Sequence, residues 1–156
     1  MTERQKLLNR ISEVFPLSDP PVEVVSLLAR ELHAKAGDIE AALENRRWFE
    51  VSLTVLDSQA KNILALSPEA FHHYLPGFMR AALLDPLNES ATYTMYALVP
   101  LANFDQYEAG TCALFTPDQS RLIADYLNVL AGEPTFETLA HEVPAAVALW
   151  SKRAFG

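Results

Sequence analysis

Three side chains in one short run have the types and spacing for chemistry. Glu69 and His72 stand in a Glu-x-x-His pattern, the spacing by which helix-bundle di-iron proteins turn a carboxylate and an imidazole toward one metal. His73 follows Glu69 by four residues, so the two form an i,i+4 pair on a helix, with Arg80 further along the same face. A dinuclear site needs a second Glu-x-x-His and two more glutamates on facing helices, and the chain has no second copy, since His141 follows Glu137 by four. Neighbouring histidines also diverge by about 100° around a helix axis, so His72 and His73 cannot both reach one ion. The expectation is no metal, with Glu69 and His72 the candidates should there be one. Glu69, His73 and Arg80 are instead expected on a solvated helix face that can touch a partner.

Other chemistries lack their residues. Phosphate-cradling loops need glycines where the backbone approaches the anion, and Gly37, Gly77, Gly110, Gly132 and Gly156 fall in no dinucleotide or Walker pattern. No Gly-x-Ser-x-Gly elbow offers a serine nucleophile. Cys112 sits in the apolar run Cys112-Ala113-Leu114-Phe115, where a thiol behaves as a small core residue. These readings point to no cofactor and away from an enzyme. The stretch Phe104-Asp105-Gln106-Tyr107-Glu108 mixes aromatics with acids in an expected loop, so Asp105, Tyr107 and Glu108 suit contact with a basic, partly apolar surface.

Composition narrows the partner. Twenty acids against twelve Lys and Arg give a net charge of −8 over 156 residues, which repels phosphate backbones and anionic bilayers. Nucleic acid and membrane are therefore not expected, while a basic protein is electrostatically favoured. One cysteine permits no intrachain disulfide, and with no signal-like N-terminus the expected location is a reducing cytoplasm. Half the residues are apolar, enough for one core across residues 1–156, read as a single globular helical domain.

The elements that must position these side chains announce themselves by their starts. Asp19-Pro20-Pro21, Ser67-Pro68-Glu69 and Thr116-Pro117-Asp118-Gln119 each place a capping residue before a proline that loses no hydrogen bond in the first turn. The Thr-x-x-Gln spacing also allows a capping box, repeated at Thr2 and Gln5. Apolar positions three and four apart then predict helical faces at Leu7, Leu8, Ile11 and Phe15, and at Val24, Val25, Leu28 and Leu32 with Gly37 as the stop. Further faces run from Phe49 to Ile63, through Phe71, Leu75, Phe78 and Ala82, and from Leu122 to Leu130, the last closed by Gly132. A final one carries Leu139, Val143, Val147 and Trp150. The fold class is mainly α, a compact bundle of about six helices, two of them kinked at Pro76 and Pro144. Because Phe49, Val51, Leu53 and Val55 also alternate with polar residues, the alternative is α+β with a small antiparallel sheet, partnered by Tyr93 to Val99 or Cys112 to Phe115.

The run from Leu66 through Ser67-Pro68-Glu69-Ala70-Phe71 and Tyr74-Leu75-Pro76 to Met79, with Trp48 before it and Phe115-Thr116-Pro117-Asp118-Gln119 after it, resembles a bacterial family of small single-domain proteins of unknown function. The shared residues are caps, aromatics and a proline, so the resemblance implies a fold and carries over no catalytic residue. The functional expectation is a non-enzymatic protein-binding domain, of the immunity or antitoxin type, masking a basic partner. The alternatives are a small metal-dependent enzyme using the Glu-x-x-His helix and a structural homo-oligomer.

Overall fold

The computed structural model describes residues 1–103, 111–139 and 141–155. Its helices are α1 (Glu3–Val14), α2 (Leu27–Leu32), α3 (Ala36–Leu43), α4 (Leu53–Gln59), α5 (Pro68–Leu84), α6 (Glu89–Asn103), α7 (Pro117–Ala131) and α8 (Val143–Phe155), with 3₁₀ segments at Ala60–Ala65 and Pro134–Leu139. The protein is mainly helical, and no strand occurs among the described residues. The one β-type pairing is an isolated antiparallel bridge between Val25 and Leu66.

Local chemistry sets the helix starts predicted at Thr2, Ser67 and Thr116, whereas Asp19-Pro20-Pro21 opens no helix, because the chain there is extended and the next helix begins at Leu27 behind Ser26. The hydroxyls of Thr2, Ser67 and Thr116 accept the backbone N–H groups of Gln5, Ala70 and Gln119, satisfying amides that the first turn leaves without partners. At Thr116 the box is complete, because the Gln119 side chain accepts the Thr116 N–H in return. Ser26 and Ser52 cap α2 and α4 in the same way.

Helix α5 runs through the middle of the fold. It packs on α1, α4 and α6, while α7 and α8 pair with each other and α6 lies against α8. Buried hydroxyls and an indole join these layers: Thr94 of α6 meets the Tyr126 hydroxyl of α7 at 2.6 Å, and the Trp150 indole of α8 donates to the Leu98 carbonyl of α6 at 3.2 Å. The surrounding core is continuous, drawing Leu7, Ile11, Phe78, Leu98, Leu127 and Trp150 from different helices into one cluster.

Several expectations change. The chain is cut into more and shorter helices than six. Phe49 and Val51 precede α4, whose Ser52 cap sets its start at Leu53, and the proposed strand partner Tyr93 to Val99 lies in α6. Their alternation marked the approach to a helix. Val24 and Val25 are buried in extended chain beside Leu66, which leaves Leu32 of α2 exposed, and Gly37 sits in the first turn of α3. The stop after α3 is Asn45, whose φ of 61° is a left-handed conformation that asparagine tolerates. Pro144 is the second residue of α8, where a missing N–H costs nothing, so it opens that helix, and Leu139 belongs to the preceding 3₁₀ segment. Among the described residues no helix is long and apolar enough to cross a membrane.

Candidate functional site

The polar face expected on α5 divides in two. Glu69 and Arg80, toward its ends, are exposed, but His73 and Pro76 between them are buried, His73 at 8% exposure. The residues from Trp48 to Leu56 cover that stretch. They cross α5 at Gly77, where a Cβ would stand 3.1 Å from Leu56 Cδ1 and 3.2 Å from the Trp48 carbonyl oxygen. His73 is therefore not the exposed partner of Glu69, because a second segment occupies the space solvent was expected to fill. Pro76, which shares that face at helical spacing, is buried as well.

What His73 does instead follows from its bonds. Its Nε2 accepts the Trp48 backbone N–H at 3.2 Å, so in the neutral ring the proton resides on Nδ1, which faces the Ser18 hydroxyl at 3.5 Å. Burial pushes the His73 pKa below the ordinary histidine value, and neighbouring His72 pushes it the same way. The segments meeting here are held by further bonds. The Trp48 indole donates to the Pro16 carbonyl at 3.3 Å, and Arg47 pairs with Asp19 at 3.0 Å.

His72 turns the other way, its ring against the edge of Phe115 with centroids 4.8 Å apart. Its Nε2 lies 2.8 Å from the Gln119 Oε1 that also accepts the Thr116 N–H, while the Gln119 amide nitrogen donates to the Val14 carbonyl at 3.0 Å. An oxygen that already accepts requires a donor, so His72 carries its proton on Nε2. The adjacent histidines thus hold opposite tautomers, each fixed by a different neighbour. Among the described residues no group of three or more His, Cys, Asp or Glu side chains is placed to hold a metal ion. Cys112 is buried.

At the next residue after His73, the Tyr74 hydroxyl lies 2.6 Å from the carbonyls of both Leu43 and Arg46, clamping the chain around Asn45. Burial raises its pKa to about 12, Arg46 opposing and Glu50 adding to the shift.

The surface has its own construction. Ser67 donates its backbone N–H to the Val24 carbonyl at 2.9 Å and its hydroxyl to the Glu23 carbonyl at 2.7 Å. These bonds and the Val25–Leu66 bridge lay residues 22–27 alongside 64–69. Val22 is fully exposed, and Leu27 and Leu64 are 77% and 69% exposed. Glu23 and Glu69, in the same two stretches, are exposed as well, and neither forms an ion pair among the described residues. These two paired stretches, the shelf, thus carry exposed apolar side chains together with acids unpaired among the described residues, and Glu69 is the one sequence-predicted partner residue among them. Arg80 lies toward the other end of α5, and Asp105, Tyr107 and Glu108 lie outside the described residues.

A groove of about 610 Å³ between α1 and α7 is of another kind. Its charges close on one another, Arg10 on Asp125 at 2.7 Å and Lys6 on Glu3 at 3.2 Å.

Sequence reasoning missed the shelf because the Val25–Leu66 pairing joins distant segments. The available signal was Leu27 and Leu32, apolar residues on two sides of so short a helix, which one buried face cannot cover. Compared with known proteins, residues 3–154 match the family model described as a family of unknown function, DUF6714. Neither a curated protein nor a solved structure matches the chain significantly.

Proposed function

The chain belongs to DUF6714, and on that premise we propose that it is a non-catalytic protein-binding domain that seats a basic partner on the shelf around the Val25–Leu66 bridge. The observation that carries this reading is the occurrence of Val22, Leu27 and Leu64, all exposed, in the same two stretches as Glu23 and Glu69, acids unpaired among the described residues. Apolar anchors supply affinity once a partner excludes water from them. Carboxylates around them steer a cationic surface into register and penalise an anionic one. The overall charge of −8 acts in the same direction at longer range.

An immunity or antitoxin role fits this chemistry, since such a protein works by covering a basic effector rather than by turning over a substrate. The proposed setting is a bacterial cytoplasm, where the single buried cysteine stays reduced.

The test is affinity capture from a source lysate with the wild type and with Val22→Asp and Leu27→Asp variants, followed by mass spectrometry. Both positions are exposed, so folding should be unchanged to within about 0.5 kcal/mol. The reading expects a basic protein retained by the wild type, lost by both variants and weakened by salt. Capture that is indifferent to both substitutions, or light scattering showing that the shelf pairs two copies of this chain, would refute it.

A further inference from the structure

We propose that His73 is a proton-operated latch: as the neutral imidazole it holds the Trp48 turn against α5, and on taking up a proton it releases that turn. The inference stands apart from the proposed function, because it concerns a buried contact that no partner touches.

The argument begins with the bond from the Trp48 N–H to Nε2 at 3.2 Å. A backbone amide only donates, so this contact exists only while Nε2 is bare. Imidazolium carries a hydrogen on both nitrogens and accepts nothing. Protonation would set two N–H groups against each other in a buried place and leave the Trp48 amide without a partner, a state that proteins avoid.

Among the described residues no neighbour compensates the new charge. On α5 itself the adjacent titratable groups are His72, which opposes protonation, and the Tyr74 phenol. The linker at residues 16–19 offers Asp19, which is engaged by Arg47 at 3.0 Å. The turn offers Arg46 and Arg47, both cationic, and Glu50, which accepts the Arg47 N–H at 2.9 Å. The end of α1 contributes Phe15, which brings no charge.

Solvent has a way in. Phe15, Pro16, Ser18, Trp48, His72 and His73 enclose a cavity of about 20 Å³, room for one water molecule to deliver the proton. With the His73 pKa below the ordinary 6.5, the latch is closed at neutral pH and opens on the acidic side of that value. Once Nε2 no longer accepts, the linker keeps its Nδ1–Ser18 contact, the Trp48 indole on Pro16 and the exposed Arg47–Asp19 pair, so it is the Trp48 turn that loses its hold on α5.

The experiment is hydrogen exchange at the Trp48 amide, followed by NMR from about pH 8 to pH 5 in the wild type, His73→Gln and His72→Gln. Glutamine keeps an acceptor near the Nε2 position and does not titrate. After correction for intrinsic exchange, wild-type protection should fall by up to about tenfold per pH unit below the His73 pKa. It should stay level in His73→Gln and still fall in His72→Gln. A level wild-type profile, a parallel fall in His73→Gln, or loss of the fall in His72→Gln would overturn the latch. Should His73→Gln not fold, the wild-type ring decides through its nitrogen shifts. A bare Nε2 at neutral pH that protonates as Trp48 protection is lost supports the latch, and an Nε2 already protonated at neutral pH overturns it.

Discussion

Replacing Gly77 with alanine sets two opposing effects against each other, and the geometry decides between them. In a helix interior, alanine is favoured over glycine by about 0.8–1.0 kcal/mol. At Gly77 the new methyl would meet Leu56 Cδ1 at 3.1 Å and the Trp48 carbonyl oxygen at 3.2 Å, both inside ordinary contact distance. Each neighbour must retreat by a few tenths of an ångström. Leu56 is buried in the core and has no free side to swing into. Trp48 is worse placed still, since its own N–H is bonded to His73 and its indole to Pro16. Overpacking of this kind costs about 1–3 kcal/mol, so Gly77→Ala should lose about 1 kcal/mol net. Gly37 supplies the control. It also lies in a helix, but a Cβ there meets nothing within 4 Å, so Gly37→Ala should be neutral to stabilising, by up to about 1 kcal/mol. Urea denaturation followed by far-UV circular dichroism measures both, with unchanged m-values confirming that the unfolded states are comparable. A Gly77→Ala protein more stable than the wild type would mean that the close crossing over α5 does not constrain the fold.

Two further predictions concern the same neighbourhood. Because the folded-state pKa of His73 lies below 6.5, the unfolded chain binds its proton first. The histidine's contribution to stability is therefore complete above the unfolded value and is lost as pH falls through the folded one. The wild type minus His73→Gln difference in unfolding free energy should decline below about pH 6.5 with a slope of at most 1.4 kcal/mol per pH unit, and a difference that rises on acidification would contradict the assignment. Tyr74→Phe removes a hydroxyl shared by two carbonyls at 2.6 Å, so it should cost about 1–2 kcal/mol in thermal or chemical denaturation. A change under about 0.5 kcal/mol would show that water replaces the phenol there.

What was legible in the sequence was what short-range chemistry decides. Ser67, Thr116 and Thr2 act within three residues of themselves, so their caps could be read directly, as could the stop at Gly132. His73 could not, because a helical wheel separates polar from apolar but does not say what covers the polar side. On α5 that cover comes from Trp48 to Leu56, and the hint was Pro76-Gly77, two residues with little side chain to keep a neighbour away. Val24 and Val25 likewise have helical spacing but are used in a pairing with Leu66, whose energy comes from remote residues. The alternation from Phe49 to Val55 was real, yet it bridged a turn and a helix start, and Ser52 was the residue that could have located the boundary.

Gln119 couples two stages of folding that are usually separable. Its one amide completes the capping box of α7 while also holding the Val14 carbonyl at the end of α1 and the His72 ring on α5. The box itself closes within α7, between Thr116 and Gln119, and the same amide then takes on the Val14 and His72 bonds when those parts of the chain arrive. A substitution at Gln119 therefore removes a local cap and two tertiary bonds at once, and should cost more stability than loss of a cap that serves its own helix alone.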